Sequence, residues 1–329
     1  MDRRTDWFQR AGWGVFVHYL GTIDSSPDGM ESGELSPADW NRRVNSFDVQ
    51  RFADTVQRTG AGYAFITIGQ NSGHFCSPNP VYDALVGDTE SRCSKRDLIS
   101  DLADAMNERG LKLMVYLPSG APAGYQKAVE ALEWAWGFEG GWPNGWGEKR
   151  TGKRLAAFQL KWEQIIREWS LRWGKKIGGW WIDGCYFADE MYRHDQAPNF
   201  KSFAAALRAG NPDSILAFNP GVLLPVIRLC EEEDYTAGEI AEALPACPGA
   251  SVEGAQFHML SYLGSTWCRG SEPRFSDELA GAYTAHVVMG GGVVSWDVPI
   301  EPDGRIPEAF VRQLSAIGRA VEARRAQGK

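Results

Sequence analysis

The length, composition and charge of this chain are those of an ordinary globular protein. Its 329 residues are 43% hydrophobic and 23% charged, which is enough apolar material for a large buried core. The formal net charge of −8 argues against a nucleic-acid partner or an anionic membrane surface, because both would repel the protein on average. We therefore expect a small ligand that is uncharged or cationic.

The sequence contains neither a targeting signal nor a membrane span. The first residues, MDRRTDWFQRAGWG, lack the apolar segment of a signal peptide, and no run approaches 18 apolar residues. We expect a cytoplasmic protein or a secreted one whose signal has been removed. The six cysteines include no C-x-x-C pair, so we expect free thiols rather than a zinc site or a dense disulfide scaffold.

Eight short apolar segments alternate with longer segments of helical period. Such alternation is typical of βαβ units with a parallel sheet, and eight units match a closed (β/α)8 TIM-type barrel. No linker or internal repeat interrupts the chain, so we predict a single α/β domain over residues 1–329, without an appended C-terminal β-sandwich. The predicted strands, rich in β-branched and aromatic residues, are 14–19, 63–68, 111–117, 178–183, 215–219, 234–239, 257–263 and 292–298.

Several helix boundaries are marked in the sequence. Ser94 and Asp97 have the spacing of a capping box, and Gly110 ends the helix that follows them. Ser276 is predicted to cap a second helix, and Pro307 opens the last one. These helices flank the third and eighth predicted strands, as a barrel requires.

A long segment rich in glycine and tryptophan, residues 118–153, follows the third predicted strand. In a β/α barrel such a loop lies at the C-terminal face, where the active site is built. Its tryptophans either stack against sugar rings or pack the loop onto the barrel or onto a second subunit. They are Trp134, Trp136, Trp142 and Trp146.

Asp183 ends the fourth predicted strand, in the segment GGWWIDG. Because the C-terminal ends of barrel strands form the active site, its carboxylate is expected at the barrel mouth. There it could attack an anomeric carbon and offset the positive charge of an oxocarbenium-like transition state. Position alone fits equally well an Asp that caps the next helix.

Six segments in order carry a family resemblance: GWGVFVHYLG, ADWNRRVNSFDVQRFADTVQRTGAGYAFIT, SKRDLISDLADAMNERGLKLMVYLPSG, GGWWIDG, YLGSTWCRG and VVMGGGVVSWDVPIEPDGRI. Together they resemble the catalytic domain of family 29 glycoside hydrolases, the α-L-fucosidases. GGWWIDG falls on the segment that carries the family's Asp nucleophile. The resemblance implies a retaining exo-glycosidase, with Asp183 as nucleophile and no cofactor or metal, that hydrolyses a terminal α-L-fucosyl or related sugar through a covalent glycosyl-enzyme intermediate.

The resemblance also implies residues that bind an oligosaccharide or glycoside substrate. His18 matches the family's strand-one histidine. Where the family has a Lys-His-His-Asp-Gly-Phe motif, this chain has GQNSGHF, so Gln70 and Asn71 replace paired histidines. Their amides can still bond sugar hydroxyls, but this departure leaves a galactose-configured sugar as an alternative to fucose. The remaining predicted substrate ligands are His74, Tyr116, Trp181 and Trp267.

The general acid/base is the residue that the resemblance helps least to find. Glu239 closes the predicted strand 234–239 and should face the same cavity as Asp183. Glu253 is the second choice, and a run of adjacent like charges before that strand is more typical of a solvated loop. The full set of candidates is Glu231, Glu232, Glu233, Asp234, Glu239 and Glu253.

Two other interpretations compete with a glycosidase. A metal-dependent hydrolase on the same barrel would need clustered ligands, but the chain has only five histidines and no H-x-H or H-E-x-x-H motif. A non-catalytic sugar-binding barrel derived from such a hydrolase would fit the altered histidine motif, and it would lack a competent acid. The sequence does not indicate an oligomeric state.

Overall fold

The computed structural model describes residues 4–21, 35–134 and 154–327. Its main sheet is parallel and has seven strands in the order β5-β4-β3-β2-β1-β9-β8, while β6 and β7 form a separate antiparallel pair. The strands are β1 Trp13–Val17, β2 Tyr63–Thr67, β3 Lys112–Pro118, β4 Ile177–Asp183, β5 Ile215–Phe218, β6 Ser251–Val252, β7 Ala255–Gln256, β8 His258–Tyr262 and β9 Val293–Asp297.

The helices of the described residues alternate with these strands, which confirms an α/β fold. They are α1 Asp6–Ala11, α2 Pro37–Ser46, α3 Val49–Thr59, α4 Pro80–Val86, α5 Leu98–Glu108, α6 Gln126–Ala131, α7 Ala156–Trp173, α8 Ala188–Met191, α9 Phe200–Leu207, α10 Asp277–Met289 and α11 Glu308–Gln327.

The helix starts agree with the sequence signals in two cases out of three. The hydroxyl of Ser276 accepts from a backbone N–H of α10, and α11 begins directly after Pro307. The predicted cap at Ser94 is wrong, because α5 begins at Leu98 and its N-cap is Asp97. There the carboxylate of Asp97 accepts from the N–H of Ser100, while the Ser94 hydroxyl is committed to a backbone carbonyl.

Seven of the eight predicted strands are strands in the structure, and the sixth, 234–239, is not. This segment nevertheless lies between the two edges of the sheet. The N–H of Asp234 donates to the carbonyl of Leu216 in β5 at 2.9 Å. At its other end Glu239 forms an isolated parallel bridge with Leu260 in β8.

Successive side chains of each strand point to opposite faces, and both faces are buried. Val15 and Val17 of β1 pack toward the helices, whereas Phe16 between them packs on the inner face of the sheet. Trp181 belongs to the same inner cluster, so Asp183, two residues further along β4, has the same orientation. The inner face therefore delivers side chains to the C-terminal end of the sheet.

The tryptophan-rich segment is described only in part. Trp134 is 5% exposed, and its ring lies 4.4 Å from that of Phe158 in α7, so it packs its segment onto the fold. The predictions for Trp136, Trp142 and Trp146 lie outside the described residues.

Three further findings concern the described part of the chain. It includes no helix that is long and apolar enough to cross a membrane. It contains all six cysteines, and no disulfide bond joins any two of them. Within these same ranges, no group of three or more His, Cys, Asp and Glu side chains is arranged to hold a metal ion.

Candidate active site

A pocket opens at the C-terminal end of the parallel sheet. It has a volume of about 110 Å³, and eight of the nine side chains predicted for the site line it. Its lining combines aromatic surface with carboxylates and amides. Among the described residues the lining consists of Phe16, His18, Leu20, Gln70, Asn71, Tyr116, Trp181, Asp183, Glu239, Leu260, Trp267 and Cys268.

Asp183 receives a hydrogen bond on each carboxylate oxygen. The hydroxyl of Tyr116, from β3, donates to Oδ2 at 2.6 Å. The side-chain amide of Asn219, one residue past β5, donates to Oδ1 at 2.8 Å. Donors directed at both oxygens stabilise the ionised carboxylate. The carboxylate is thus held in place from both sides.

Glu239 lies beside Asp183, because the two carboxylates share one donor. The same nitrogen of Asn219 donates to Oε2 of Glu239 at 2.6 Å. The two bonded oxygens are therefore at most about 5.4 Å apart, the sum of 2.8 and 2.6 Å. Retaining glycosidases hold their carboxyl groups about 5–5.5 Å apart, whereas inverting enzymes need about 6.5–9.5 Å.

The surroundings of Glu239 favour its protonated form. Burial and the negative charge of Asp183 raise the pKa of Glu239 to about 7. The hydrogen bond from Asn219 and the charge of His18 oppose this rise, because both stabilise the ionised carboxylate. Two neighbouring carboxyl groups in different protonation states are what acid and nucleophile roles require.

One wall of the pocket is a layer of aromatic rings with a polar edge. Tyr116 and Trp181 are stacked, with ring centroids 5.4 Å apart and 19° between their planes. Gln70 donates to the Tyr116 hydroxyl at 2.7 Å, which leaves that hydroxyl hydrogen to Asp183. An aromatic face with hydroxyl and amide groups at its edge suits the mixed apolar and polar surface of a sugar.

Next to this layer lies a buried histidine and carboxylate pair, with the His18 ring 5.7 Å from that of Tyr116. Nδ1 of His18 lies 2.7 Å from Oδ1 of Asp297, which ends β9 and is fully buried. The other oxygen of Asp297 accepts from the N–H of Cys268 at 2.6 Å. The ring of Trp267 lies 6.1 Å from that of His18. With Nδ1 engaged by the carboxylate, Nε2 is the nitrogen left to bond a ligand.

The sequence of this chain matches a known protein family. A family model described as Alpha-L-fucosidase matches residues 37–324, which is most of the chain. The chain belongs to this alpha-L-fucosidase family. It is therefore a glycoside hydrolase. No curated protein sequence matches it.

Solved structures show the same fold at low sequence identity. The alpha-L-fucosidase AlfC from Lactobacillus casei, bound to alpha-L-fucose, has a TM-score of 0.65 at 16% identity over 99% of this chain and 100% of its own. Isoenzyme 1 from Paenibacillus thiaminolyticus has 0.62 at 17%, over 97% and 75%. The endo-fucoidan hydrolase MfFcnA4 of glycoside hydrolase family 107 has 0.69 at 17%, over 96% of this chain. This chain spans only 53% of that hydrolase.

One predicted sugar ligand of this fucosidase-family protein is not in the pocket. His74 is 1% exposed, and its ring lies 5.7 Å from that of Trp40, within the packing behind the pocket. His74 lies between Gly69 and Phe75, which form an isolated antiparallel bridge after β2, and its imidazole is part of the buried packing. Gln70 and Asn71 are the residues of the altered motif that reach the cavity.

The other acid candidates also lie away from the pocket. Glu253 is exposed and borders a separate surface depression beside Arg228. Glu233 is 2% exposed, and its oxygens accept from the backbone N–H groups of Phe218 and Leu229 at 2.7 and 2.5 Å. Glu233 therefore fixes the backbone between β5 and segment 234–239. Of the named candidates, Glu239 alone lines the pocket.

Sequence reasoning missed two residues that organise the site, Asn219 and Asp297. Each stands at or just past the C-terminal end of a strand, which is the signal that identified Asp183. Applied to every strand, that rule would have selected both. Their roles follow from their contacts: Asn219 bonds Asp183 and Glu239, and the carboxylate of Asp297 is engaged by His18 and by the N–H of Cys268.

Proposed function

We propose that this protein is a retaining exo-glycosidase that releases a terminal α-L-fucosyl or closely related sugar. Asp183 is the nucleophile and Glu239 the general acid/base. The observation that carries this proposal is the hydrogen bonding of both carboxylates to one nitrogen of Asn219, at 2.8 and 2.6 Å. That spacing supports direct attack by a carboxylate and leaves too little room for an intervening water.

In the first step the glycosidic bond breaks. Glu239 transfers its proton to the glycosidic oxygen as the leaving alcohol departs, and an oxygen of Asp183 forms a bond to the anomeric carbon. The product is a glycosyl ester of Asp183. A pKa of about 7 keeps Glu239 protonated in the resting site up to neutral pH.

In the second step water hydrolyses the glycosyl ester of Asp183. Glu239, now a carboxylate, removes a proton from a water molecule whose oxygen attacks the anomeric carbon. The bond to Asp183 breaks, and the carboxylate is regenerated with the sugar configuration retained overall. Both hydrogen bonds to Asp183, from Tyr116 and Asn219, stabilise it as the leaving group.

The shape of the pocket supports action on a terminal sugar. A cavity of about 110 Å³ within the described residues suits a single sugar ring better than a chain of sugars. Gln70 and Asn71 take the place of paired histidines, so a galactose-configured sugar is the second choice of substrate. No observation favours a sugar-binding protein without activity, because a competent acid stands beside the nucleophile.

We also propose that segment 234–239 closes the sheet into a (β/α)8 barrel. The segment bonds to β5 through Leu216 and to β8 through Leu260, the strands at the two edges of the sheet. Its position in the chain is that of the sixth barrel strand. Closure would bring Glu239 to the same mouth as Asp183.

A panel of aryl glycosides tests the proposed function, with the α-L-fucoside expected to react fastest. A 2-fluoro glycosyl donor should label Asp183, and Asp183→Asn should lower kcat by at least about 10³-fold because nucleophile and charge are lost together. Asp213→Asn is the control, since Asp213 is exposed and does not line the pocket. A label on another carboxylate, or mainly internal cleavage of a polysaccharide, would refute the assignment.

A further inference from the structure

The side-chain amide of Asn219 bonds both proposed catalytic carboxylates. We propose that Asn219 is a positioning residue, whose amide sets the spacing of Asp183 and Glu239 and directs the proton of Glu239 to Oε1. This inference rests on the proposed function, because it defines Asn219 through the roles of those two carboxylates.

The backbone of Asn219 is fixed on both sides of Asp183. Its N–H donates to the carbonyl of Ile182 at 2.7 Å, and its own carbonyl accepts from the N–H of Cys185 at 2.8 Å. Asn219 is fully buried, and its Oδ1 accepts from the N–H of Gly221 at 3.1 Å. Every polar group of Asn219 is thus engaged, and its Nδ2 has one available orientation.

The amide nitrogen of Asn219 can donate to both carboxylates at once. An amide NH₂ has two hydrogens and no acceptor capacity, so Nδ2 can donate one hydrogen to each carboxylate. When Glu239 is ionised, these two N–H donors offset the repulsion between the neighbouring carboxylates in the buried pocket. Asn219 therefore stabilises the close approach of Asp183 and Glu239 even when both carboxylates are charged.

The same bond selects the oxygen of Glu239 that carries the acidic proton. Oε2 accepts from Asn219 at 2.6 Å, so in the protonated form Oε2 is the carbonyl oxygen and the proton resides on Oε1. A proton on Oε2 would meet the hydrogen of Nδ2. Asn219 thereby orients the acid for transfer to the glycosidic oxygen.

Asn219 is also one of several groups that set the titration of Glu239. Asp183 on β4 raises the pKa of Glu239, whereas His18 after β1 lowers it. Burial, together with the charges of Asp183 and Glu239, raises the pKa of the phenol of Tyr186, which follows β4. The hydrogen bond of Asn219 lowers the pKa of Glu239, so its loss should raise that pKa.

Asn219→Asp and Asn219→Ala test the proposal together. Asn219→Asp preserves the size of the side chain and its bond to the N–H of Gly221 but replaces both N–H donors by a carboxylate, whose charge also raises the pKa of Glu239, whereas Asn219→Ala removes the donors without adding charge and is the deciding variant. We expect kcat/KM to fall by roughly 10²-fold, with a larger fall for poor leaving groups. The alkaline limb of its pH profile should move up by about one pH unit or more. Asn219→Ala should move the limb in the same direction.

The matched control is Asn211→Ala. Asn211 is another buried asparagine, and its amide donates to the backbone carbonyl of Ile177 at 3.2 Å, away from both carboxylates. This variant should lower Tm without moving the pH limb. A purely structural role for Asn219 predicts the same pattern for its own variants, so unchanged limbs in folded Asn219→Asp and Asn219→Ala would overturn the proposal.

A titration separates this inference from the proposed function. In protein labelled with ¹³C at the glutamate carboxyls, the Glu239 signal, assigned through Glu239→Gln, should titrate near pH 7 and move upward in both Asn219 variants. If the protein hydrolyses none of the glycosides, the proposed function fails but this measurement still applies. An unchanged Glu239 titration in either folded variant would refute the inference.

Discussion

At the scale of the residue, the protonation state of Glu239 should determine how activity depends on pH. The carboxyl must be protonated for the first step, and its pKa is raised to about 7. We therefore expect kcat/KM to decrease about tenfold per pH unit above that value, as the acid ionises. Initial rates on an aryl glycoside from pH 5 to 9 measure this, and a flat profile across neutral pH would contradict it.

Removing the acid should affect substrates unequally. A leaving group that is already a weak base needs no proton, so Glu239→Ala should slow activated aryl glycosides far less than glycosides with poor leaving groups. Azide, which needs no general base, should restore part of the turnover with activated substrates. Glu253→Ala is the control, because Glu253 is exposed outside the pocket. Equal losses for both substrates, without rescue, would assign the acid role elsewhere.

At the scale of the element, segment 234–239 holds Glu239 in register, and Gly238 makes this register possible. Gly238 has a φ of 62°, and a Cβ there would lie 2.0 Å from the carbonyl oxygen of His258 in β8. Gly238→Ala should therefore force the segment away from β8 and displace Glu239. We expect a loss of stability on the order of 3 kcal/mol and a large loss of activity.

Gly110→Ala separates the clash from the backbone conformation. Gly110 has a similar φ of 72°, but a Cβ there meets nothing within 4 Å. It should cost only about 1 kcal/mol, from the left-handed conformation, and leave kcat unchanged. Thermal denaturation and kcat of the two variants provide the comparison. Equal effects would mean that close packing of Gly238 on β8 does not matter.

The sequence predicted the elements better than their pairing. Alternating apolar segments identified seven strands because burial on both faces requires continuous apolar runs. Segment 234–239, DYTAGE, has less apolar character, and its backbone contacts are divided between two elements. The N–H of Thr236 donates to the carbonyl of Gln256 in β7, and the carbonyl of Gly238 accepts from the N–H of Leu260 in β8, so only isolated bridges form and no regular ladder. The pairing of this segment depends on tertiary contacts with Gln256 and Leu260, which a local sequence pattern does not encode.

Site residues could be predicted from the sequence where a reactive side chain stands at a strand end. Residues that matter only through their position in the folded protein could not. Asp183 and Glu239 combine a reactive carboxylate with a strand end. His74 was chosen from a motif, but the local turn buries it against Trp40. Asn219 matters only because two chain segments distant in sequence bring both carboxylates to its amide.

At the scale of the whole molecule, two buried groups make stability depend on pH in opposite directions. Burial raises the pKa of Glu233 to about 8, although backbone N–H groups oppose the rise. The folded state thus retains a proton that the unfolded chain releases near pH 4.5, so the contribution of Glu233 is complete below that pH and is lost as pH rises toward 8. Glu239 acts in the same direction.

The buried imidazole of His258 has the reverse effect. Burial lowers its pKa from 6.5 to about 4, so its contribution is complete above pH 6.5 and is lost as pH falls toward 4. The ring is held by the carbonyl of Thr236 and the hydroxyl of Ser295. Between pH 6.5 and 8, therefore, His258 contributes no slope and the buried glutamates determine how stability changes.

We accordingly expect Tm to fall by several degrees between pH 6.5 and 8, because a pKa of 8 for Glu233 corresponds to a loss of about 2 kcal/mol over that interval. Thermal denaturation followed by circular dichroism at half-unit steps of pH measures the slope. Glu233→Gln removes the titrating group and should flatten it, even though the variant starts from a lower Tm because an amide cannot accept from backbone N–H groups on both sides. Glu253→Gln, at an exposed position, should leave the slope unchanged. A Tm that is constant or rises from pH 6.5 to 8 would mean that Glu233 is already ionised in the folded protein, stabilised by the N–H groups of Phe218 and Leu229.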